Sequence, residues 1–488
     1  MPVTERYRPD PRHPELGSLF YDPVPAADFP QHILRFRNDR WAARVGLEAL
    51  SEAEWIEHFG RFAPLPDNLG EPLALRYHGH QFRVYNPDLG DGRGFLFAQM
   101  RDAEDGRLLD LGTKGSGQTP WSRSGDGRLT LKGGVREILA TETLEARGVP
   151  TSKTFSLIET GEKLYRGDEP SPTRSAVMVR LSHSHIRIGT FQRLRAQEEV
   201  EAIRRLVDYC LAVYHPQAAD RATIADANDA PALLYEAVVQ AVAELGAAWF
   251  AAGFVHGVLN TDNIVITGES FDYGPWRFLE RYDPHFTAAY FDHGGLYAYG
   301  RQAEALHWNL ARLAECLLPL TPVERLEPIY QSFSERFDKA LVAQTFYRLG
   351  LAVKDAEAAR TTAHALWAAL HETEAPFERV FFDLTGGARP ERLAESPLAE
   401  LYANEPWTSA IEAVRTEAPS PHLQGPAAQA FWAQRAPEDM LIDEVESLWS
   451  AIDREDDWAP LEAKVARLRE VGAATPPPDG PPDGSPGG

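Results

Sequence analysis

The sequence is poor in cysteine, in methionine and in positive charge. Its 488 residues include only two cysteines, Cys210 and Cys316, and four methionines. Each cysteine lies in an apolar segment with helical spacing, which is typical of a buried free thiol and not of a disulfide framework. No spacing of cysteine and histidine typical of a zinc site is present. We therefore expect neither a structural zinc ion nor control of activity by a disulfide.

Positive charge is scarce enough to leave a net charge of −23, from 49 lysines and arginines against 72 aspartates and glutamates. Such a charge repels the phosphates of nucleic acids and anionic lipids, so we expect neither nucleic acid nor a membrane as a partner. It also repels ATP. A nucleotide site in this chain would have to be a local cluster of cationic side chains that works together with a metal ion.

Long uninterrupted apolar segments are absent as well. Apolar residues make up 43% of the chain and charged residues 25%, and the two are interspersed throughout, as in globular proteins. The first ten residues contain Glu5, Arg6, Arg8 and Asp10 among prolines and lack the apolar core of a secretory signal. We expect a cytoplasmic protein, divided into two lobes or two to three domains because the chain is too long for one ordinary core.

The spacing of apolar residues changes along the chain from strand-like to helix-like. Short β-forming runs predict strands at 95–100, 154–159 and 175–181, and a periodic segment predicts one helix among them at 133–148. After residue 192, four segments carry helical stripes: 198–214, 233–253, 305–318 and 355–372. The pattern predicts a lobe rich in β-strands with one inserted helix, followed by a larger helical lobe.

Four regions are predicted from these patterns. They are an N-terminal extension at 1–76 that packs on the lobes, a β-rich lobe at 77–192, a helical lobe at 193–470, and a tail at 471–488. The tail ends in TPPPDGPPDGSPGG, whose proline and glycine content and lack of apolar residues predict disorder. Within the helical lobe, polar loops and a β-branched run at 264–267 interrupt the pattern over 256–274, which predicts a functional hairpin.

Three features of the β-rich lobe suit a nucleotide. LGDGRG at 89–94 precedes a strand, and its glycines and Arg93 could approach a phosphate, although an ordinary turn has the same composition. Lys114 follows a strand-like run and Glu137 lies near the start of the predicted helix, as in kinase-like folds, where such a pair contacts the ATP phosphates. Arg180 and Arg187 flank LSHSHI and either reach the same pocket or are two ordinary surface arginines.

The strongest local pattern is HGVLNTDN at 256–263 followed by DYG at 272–274. Asn263 and Asp272 are hard oxygen ligands suited to Mg²⁺, although an Asx turn and a hairpin would look similar. In the kinase pattern H-R-D-x-x-x-x-N, the position of the catalytic base corresponds to Val258 here. Valine cannot accept a proton, so the usual phosphotransfer base is missing. The nearest carboxylate is Asp262.

These motifs in their order resemble those of the selenoprotein O family of protein adenylyltransferases. The segments that carry the resemblance are GHQF (79–82), LGDGRG (89–94), LGTKGSGQTPWSRSGDGR (111–128), VRE (135–137), RLSHSHIRIGTF (180–191) and HGVLNTDN with DYGP (256–275). Six motifs in sequence are far more specific than any one of them. The resemblance covers roughly residues 77 to 302.

The resemblance implies an α+β, bilobal, protein-kinase-like fold in which ATP lies flipped, with its γ-phosphate buried and its α-phosphate facing the acceptor. It implies transfer of AMP to serine, threonine or tyrosine hydroxyls of proteins with release of pyrophosphate, and it allows UMP transfer from UTP as a variant. The residues carried over for ATP are Gly90, Gly92, Arg93, Lys114, Asp126, Gly127, Arg180, Arg187 and Asp272. Glu137 would hold Lys114, Asp262 would accept the proton, and Asn263 and Asp272 would bind Mg²⁺ or Mn²⁺.

Three departures from the family pattern stand out. Arg83 follows GHQF where the family usually has glycine, and Trp121 replaces the tyrosine of TPYSR. No cysteine follows Cys316, so the redox control implied by the family's C-terminal cysteine or selenocysteine is in doubt. APEDMLIDEVESLW at 436–449 occupies the region of the family's NP…RN stretch.

Two other functions remain open from the sequence. A kinase or small-molecule phosphotransferase would use the same cleft, but Val258 argues against it. A nucleotide-binding scaffold without activity would not need Asp262, Asn263, Asp272 and Lys114 together. We expect a monomer.

Overall fold

The computed structural model describes residues 3–474 apart from 168, 219–228, 426, 427, 429, 430 and 432. Within these residues the chain is a mixed α/β structure. Its strands are β1 (Tyr21–Pro23), β2 (Ile33–Arg37), β3 (Leu73–Leu75), β4 (Gly79–Gln81), β5 (Val84–Asn86), β6 (Leu96–Arg101), β7 (Leu108–Lys114), β8 (Leu129–Thr130), β9 (Lys153–Leu164), β10 (Thr173–Ser182), β11 (Phe254–Val255), β12 (Arg277–Phe278), β13 (Leu351–Ala352) and β14 (Ala418–Pro419).

Helices dominate the second half of the chain. They are α1 (Asp39–Arg44), α2 (Glu52–Phe59), α3 (Leu131–Ala146), α4 (Ile188–Ala196), α5 (Val200–Tyr214), α6 (Ala230–Ala251), α7 (Gln302–Leu317), α8 (Val323–Gln331), α9 (Phe333–Leu349), α10 (Ala356–Thr373), α11 (Phe377–Leu384), α12 (Pro390–Glu395), α13 (Ala399–Tyr402), α14 (Trp407–Thr416), α15 (Ile442–Glu455) and α16 (Ala459–Ala474). The four helices predicted after residue 192 are present as α5, α6, α7 and α10.

The main sheet has eight strands, in the order β1-β3-β6-β7-β10-β9-β2, with β8 paired to β10. All of its pairings are antiparallel. The three predicted strands are present as β6, β9 and β10. Three further strands, β1, β2 and β3, come from the first 76 residues, so the predicted N-terminal extension contributes directly to this sheet. The division into four regions stays a prediction.

Both faces of the sheet are covered, because alternate residues of its strands point to opposite sides. On β10, Ala176 and Met178 join a core formed with α3, α5, α6 and α7. Their neighbours Val177 and Val179 join a second core, which contains Trp55 of α2. The helix predicted at 133–148 is α3, and it begins after Thr130, whose side chain accepts a hydrogen bond from the Gly133 amide.

The hairpin predicted within 256–274 takes a different form. The β-branched run at 264–267 is not a strand, and Val265 makes only an isolated bridge with Arg187. The hairpin strands are β11 and β12, which bracket the predicted segment on either side. Residues 264–266 are buried as a loop. Its backbone bonds to residues 186–188: Ile188 donates to the Ile264 carbonyl, and Ile266 donates to the Ile186 carbonyl.

One segment is more apolar than the composition suggested. Helix α6 has 22 residues and is long and apolar enough, by composition alone, to cross a membrane. In the structure, however, 61% of its most apolar stretch is buried inside the protein. Residues such as Val238 and Val242 are fully enclosed in the main core. The helix therefore fits the description of a central core helix.

Two further predictions, on the cysteines and on the start of the C-terminal tail, can be compared with the structure. Cys210 and Cys316 are buried free thiols in α5 and α7, as expected. The predicted tail starts too early, because residues 471–474 complete α16, which buries Leu461, Val465 and Leu468 along one face. The remaining residues, 475–488, lie outside the described part of the chain.

Candidate functional site

A cleft of about 640 Å³ lies where the sheet meets the loops that precede α7. The sequence-predicted residues that line it are Gly90, Gly92, Arg93, Lys114, Asp126, Gly127, Arg180, Arg187, Asp262 and Asp272. Glu137 and Asn263 do not line the cleft and lie behind residues that do. The fold thus brings together residues that are up to 182 positions apart in the sequence, from Gly90 to Asp272.

An ion-pair cluster forms the floor of the cleft. Lys114 stands at the end of β7 and Glu137 in the second turn of α3, and the lysine Nζ contacts the Glu137 carboxylate. The same Nζ lies 2.8 Å from Oδ1 of Asp272. Arg180, on β10 beside β7, places Nη1 3.4 Å from that same oxygen. Asp272 therefore connects two cationic side chains that the sheet holds next to each other.

Aromatic rings hold the two buried arginines in place. The guanidinium of Arg180 lies 3.9 Å from the ring centre of Phe271, and that of Arg187 lies 4.1 Å from the ring centre of Tyr77. Arg187 also pairs with Asp91 at 3.1 Å. In both arginines Nε is buried without a hydrogen-bond partner among the described residues. The cleft thus keeps cationic donors in fixed positions, which suits an anionic ligand.

Asp272 has an unusual backbone conformation and a lowered pKa. Its φ of 59° lies in the left-handed region, which only a few per cent of residues other than glycine adopt. Burial acts to raise the pKa of Asp272, but the charges of Lys114, Arg180 and Arg93 outweigh it and hold that pKa well below its ordinary value. The side chain is still 29% exposed to the cleft. Asp272 is therefore an ionised carboxylate that a cation in the cleft can reach.

Asp262 lies in a short 3-10 helix, Thr261–Asn263, under the hairpin formed by β4 and β5. Its Oδ1 is buried and has no hydrogen-bond partner among the described residues. Burial raises the pKa of Asp262 to about 6, although the charge of Arg187 opposes the shift. Gly79 of β4 leaves room for this carboxylate, because a Cβ there would lie 2.9 Å from Oδ1.

Asn263 is oriented by the loop itself. Its Nδ2 donates to the carbonyl of Val258 at 3.0 Å, which fixes the orientation of the amide group. Val258 therefore contributes a backbone acceptor here and no side-chain chemistry. His256 fixes the next part of the loop, since its Nε2 lies 2.9 Å from the carbonyl of Phe271, next to Asp272.

The glycines of the loop 89–94 and Gly127 allow two loops to pack against each other. A Cβ on Gly90 would lie 2.4 Å from Cγ of Trp121, and one on Gly92 would lie 2.9 Å from the Trp121 carbonyl oxygen. Gly127 has a φ of +70°, and a Cβ there would collide with the backbone of Gly117. These glycines let the loops 89–94 and 117–128 pack closely at the rim of the cleft. Trp121 in turn donates from Nε1 to Asp22 at 2.9 Å.

Asp126 and several arginines lie at the rim of the cleft. Asp126 pairs with Arg166 at 2.8 Å, and its Oδ1 accepts the backbone N–H of Arg128 at 3.0 Å. Arg123, Arg128 and Arg166 also line the cleft, and the sequence reasoning did not select them. The signal that could have found Arg123 and Arg128 is the local density of arginine in SRSGDGR, set against the strong negative charge of the chain; Arg166 lies outside that segment. Tyr77, Asp91 and Phe271 carried no comparable signal.

The described residues contain no group of three or more His, Cys, Asp or Glu side chains placed to hold a metal ion. A site made only of protein ligands is therefore not found there. Magnesium commonly binds one or two carboxylate or amide oxygens and takes its other ligands from water and substrate phosphates. Asp272, which lines the cleft, fits that smaller set, and Asn263 follows Asp262, which also lines it.

Comparison with known proteins places the whole chain in one group. A family model described as protein adenylyltransferase SelO matches residues 4–469. The chain is 44% identical over 478 residues to the protein nucleotidyltransferase YdiU of Gloeobacter violaceus, with 94% of this chain and 95% of that protein covered. It is 44% identical over 495 residues to the protein of the same name from Synechococcus elongatus, with 97% of each covered. A third relative with this name, from Mycolicibacterium smegmatis, is 38% identical over 374 residues, 72% of this chain and 73% of its own.

Proposed function

The chain belongs to the SelO family of protein adenylyltransferases, and we propose that it transfers AMP from ATP to serine, threonine or tyrosine hydroxyls of other proteins. The observation that carries the proposal is the pairing of a cationic cleft with one buried carboxylate, Asp262, whose Oδ1 has no partner among the described residues. UMP transfer from UTP would use the same groups.

We propose that the chain has a protein-kinase-like arrangement of two lobes, and two observations at the site support it. The contact of Lys114 on β7 with Glu137 on α3 matches the strand lysine and helix glutamate of kinases, and Asp272 begins a DYG triplet where kinases have DFG. The β-rich part and the helical part meet at the cleft. The kinase-like description therefore rests on the site and on the order of the elements.

The cationic side chains would bind the triphosphate. Arg93, Lys114, Arg180 and Arg187 surround the inner cleft, while Arg123, Arg128 and Arg166 line its rim. This is more positive charge than is needed to hold one terminal phosphate, and it favours an ATP whose γ-phosphate is buried and whose α-phosphate faces the acceptor. Gly90, Gly92 and Gly127 keep the rim loops in position.

Mg²⁺ or Mn²⁺ is the cofactor that we propose, and Asn263 and Asp272 would hold it against the triphosphate. When bound, it would neutralise charge on the phosphates and on the pyrophosphate that leaves. Lys114 and Arg180 keep Asp272 ionised, and Val258 orients the Asn263 amide by accepting a hydrogen bond from its Nδ2.

The chain's own residues then supply positioning and one proton acceptor. The substrate hydroxyl loses its proton to Asp262 as its oxygen bonds to the α-phosphorus, and the bond from that phosphorus to the bridging oxygen breaks, releasing pyrophosphate. The raised pKa of Asp262, about 6, makes it a stronger base than an ordinary aspartate while it stays ionised at neutral pH. Positioning of the phosphates by the arginines supplies the larger part of the rate.

The test is the fate of the label when protein acceptors are incubated with ATP labelled on the α- or the γ-phosphorus. We expect α-label to enter protein and γ-label to be released as pyrophosphate. Asp262→Ala should lower α-labelling by roughly 10²- to 10⁴-fold, the usual contribution of a general base, while ATP affinity is largely kept. Intact mass should show the addition of AMP.

Two results would overturn the proposal. Entry of γ-label into protein would make the chain a kinase, in spite of Val258 at the kinase base position. Tight binding of ATP without transfer from either position would make it a scaffold. The net charge of −23 also leads us to propose that neither nucleic acid nor a membrane is a partner. We further propose a cytoplasmic monomer, and sedimentation of the purified chain tests its oligomeric state.

A further inference from the structure

An exposed apolar surface borders the cleft on the side of Asp262. It consists of Phe82 in the turn between β4 and β5, and of Tyr290 and Phe291 in the loop that precedes α7; we call these three residues the aromatic patch. Tyr290 is 80% exposed and Phe291 43%. Large apolar side chains exposed next to one another commonly mark an interaction surface.

The aromatic patch is built from rings in mutual contact. The ring centres of Tyr290 and Phe291 lie 5.1 Å apart, and those of Phe291 and Phe82 lie 5.8 Å apart. Phe82 also packs 5.0 Å from Tyr297, which is buried. The exposed rings therefore rest on a fixed base, and their exposure is not that of an isolated surface residue.

The loop that carries Asp262 holds Phe82 and Tyr297 in place beneath the exposed rings. Oδ1 of Asn260, two residues before Asp262, accepts the backbone N–H of Phe82 at 3.0 Å and the hydroxyl of Tyr297 at 2.9 Å. The loop carrying Phe291 is closed by Asp292, which accepts the amides of Leu296 and Tyr297. One asparagine thus ties both halves of the aromatic patch to the segment that carries the proposed proton acceptor.

The patch is continuous with the cleft. Gln81, beside Phe82, lines the cleft, and Gly79 of the same hairpin packs against Asp262. Arg83, which follows Phe82, is paired with Glu304 at 2.8 Å. Because Gly79 packs against Asp262, we expect a protein whose hydroxyl reaches Asp262 to contact this hairpin.

We propose that the aromatic patch binds an apolar side chain of the acceptor protein, a few residues from the hydroxyl that receives AMP, and so selects the modification site. This inference rests on the proposed function. The acceptor segment would be recognised by an aliphatic or aromatic residue that covers Tyr290 and Phe291, while its hydroxyl enters the cleft beneath β4 and β5. Specificity from such a contact is moderate, because one apolar side chain contributes about 10- to 200-fold discrimination.

The test uses an arrayed peptide library and α-labelled ATP. Each peptide carries a central serine, threonine or tyrosine and one fixed flanking position occupied by Leu, Phe, Ala, Asp or Lys. The wild-type chain should label peptides with Leu or Phe at one such position about tenfold more than those with Asp there. The double variant Tyr290→Ala with Phe291→Ala should lose this preference and keep its affinity for ATP.

A matched control removes exposed apolar side chains elsewhere. Val323 and Val353 are 50% and 51% exposed, and both lie outside the cleft lining. Val323→Ala with Val353→Ala should keep the wild-type preference. All the substituted side chains are well exposed, so thermal unfolding should report folded protein in every case.

The outcomes separate this inference from the proposed function. Labelling without preference for an apolar flank, or a preference that survives in the Tyr290/Phe291 variant, overturns the docking surface alone. Failure of the wild-type chain to label any peptide while it binds ATP counts against the proposed acceptor chemistry and this inference together. A change of oligomeric state in the Tyr290/Phe291 variant, with preference unchanged, would assign the patch to contacts between copies of the chain.

Discussion

The two aspartates of the cleft have pKa shifts of opposite sign. One lies in the ion-pair cluster on the floor of the cleft, and the other lies beneath Gly79 in a part that we call the wall. On the floor, Asp272 lies against Lys114 and Arg180, and the pKa of its carboxyl falls well below the ordinary range. On the wall, Asp262 sits beneath Gly79 with one oxygen unpaired among the described residues, and its pKa rises to about 6. The two side chains come from loops ten residues apart in the same segment.

The difference shows how one short segment can supply two kinds of carboxylate. A carboxylate with two cationic neighbours is a stable anion and a poor base, which suits the binding of cations. A desolvated carboxylate with one oxygen that lacks a hydrogen-bond donor takes up a proton more readily, which suits general base catalysis. Titratable groups whose environments push their pKa values apart often divide such roles between them.

The largest expected effect comes from breaking the floor. Asp272→Ala removes the carboxylate shared by Lys114 and Arg180 and a proposed ligand of the metal ion. AMP transfer should fall by roughly 10³-fold or more, with at most weak ATP binding left, because the phosphates lose their positioning. Transfer assays and titration calorimetry with ATP measure the two effects.

Asp453→Ala provides the control, since Asp453 is exposed on α15, far along the chain from the cleft. It should leave both transfer and ATP binding unchanged. Undiminished turnover of the Asp272→Ala variant would remove Asp272 from the site and, with it, the contrast between floor and wall.

A smaller effect, of opposite sign for the two aspartates, is expected in stability. The folded chain binds the Asp262 proton more tightly than the unfolded chain does. Ionisation of Asp262 therefore destabilises the fold as the pH rises from 3.8 to about 6. Asp262→Asn should raise the free energy of unfolding above pH 6 by up to about 3 kcal/mol, and this gain should vanish below about pH 4.

Asp272→Asn should do the reverse at neutral pH and destabilise the fold, because Lys114 and Arg180 would lose their common anion. Denaturant unfolding of the nucleotide-free and metal-free proteins at pH 4 and pH 7.5 measures both differences. If the Asp262→Asn variant were less stable than the wild type at pH 7.5, the surroundings of Asp262 would stabilise its ionised carboxylate, contrary to this prediction.

The smallest effect concerns the hairpin over Asp262. Arg83 has a φ of 64°, where a residue with a side chain is strained and glycine is not. Arg83→Gly should relieve about 1 kcal/mol of backbone strain and lose an exposed ion pair with Glu304 worth at most about 1 kcal/mol. The net change in the free energy of unfolding should therefore be under about 1 kcal/mol.

Arg83→Ala separates the two contributions, because it loses the ion pair and keeps the strained backbone. It should be less stable than Arg83→Gly by about 1 kcal/mol in denaturant unfolding. Equal stability of the two variants would mean that the turn adapts its backbone to the side chain.

Much of the fold followed from local patterns. The spacing of apolar residues predicted β6, β9, β10, α3 and the four long helices α5, α6, α7 and α10, because that spacing depends only on the geometry of the element itself. It missed β1, β2 and β3, which have three to five residues each and gain their stability from pairing with distant strands. The run at 264–267 was misleading for the same reason, since its β-branched residues pack inside the core as a loop.

The family and its activity were determined by the sequence alone. The six ordered motifs resembled the selenoprotein O family, and the comparisons confirmed that membership over nearly the whole chain. Each motif is local, so the candidate site residues Lys114, Asp262 and Asp272, which the structure brings into one cleft, could be selected without a structure. The sequence also showed that Val258 cannot be a base.

Only the tertiary structure decided how those residues are tuned and what surrounds them. The rings of Tyr77 and Phe271 under the arginines, the close fit of Gly79 to Asp262 and the contact of Gly90 with Trp121 join positions far apart in the chain. The charge state of Asp262 and Asp272 likewise depends on neighbours that approach only after folding. Burial and electrostatic contact are properties of distances in space, and no local pattern of residues contains those distances.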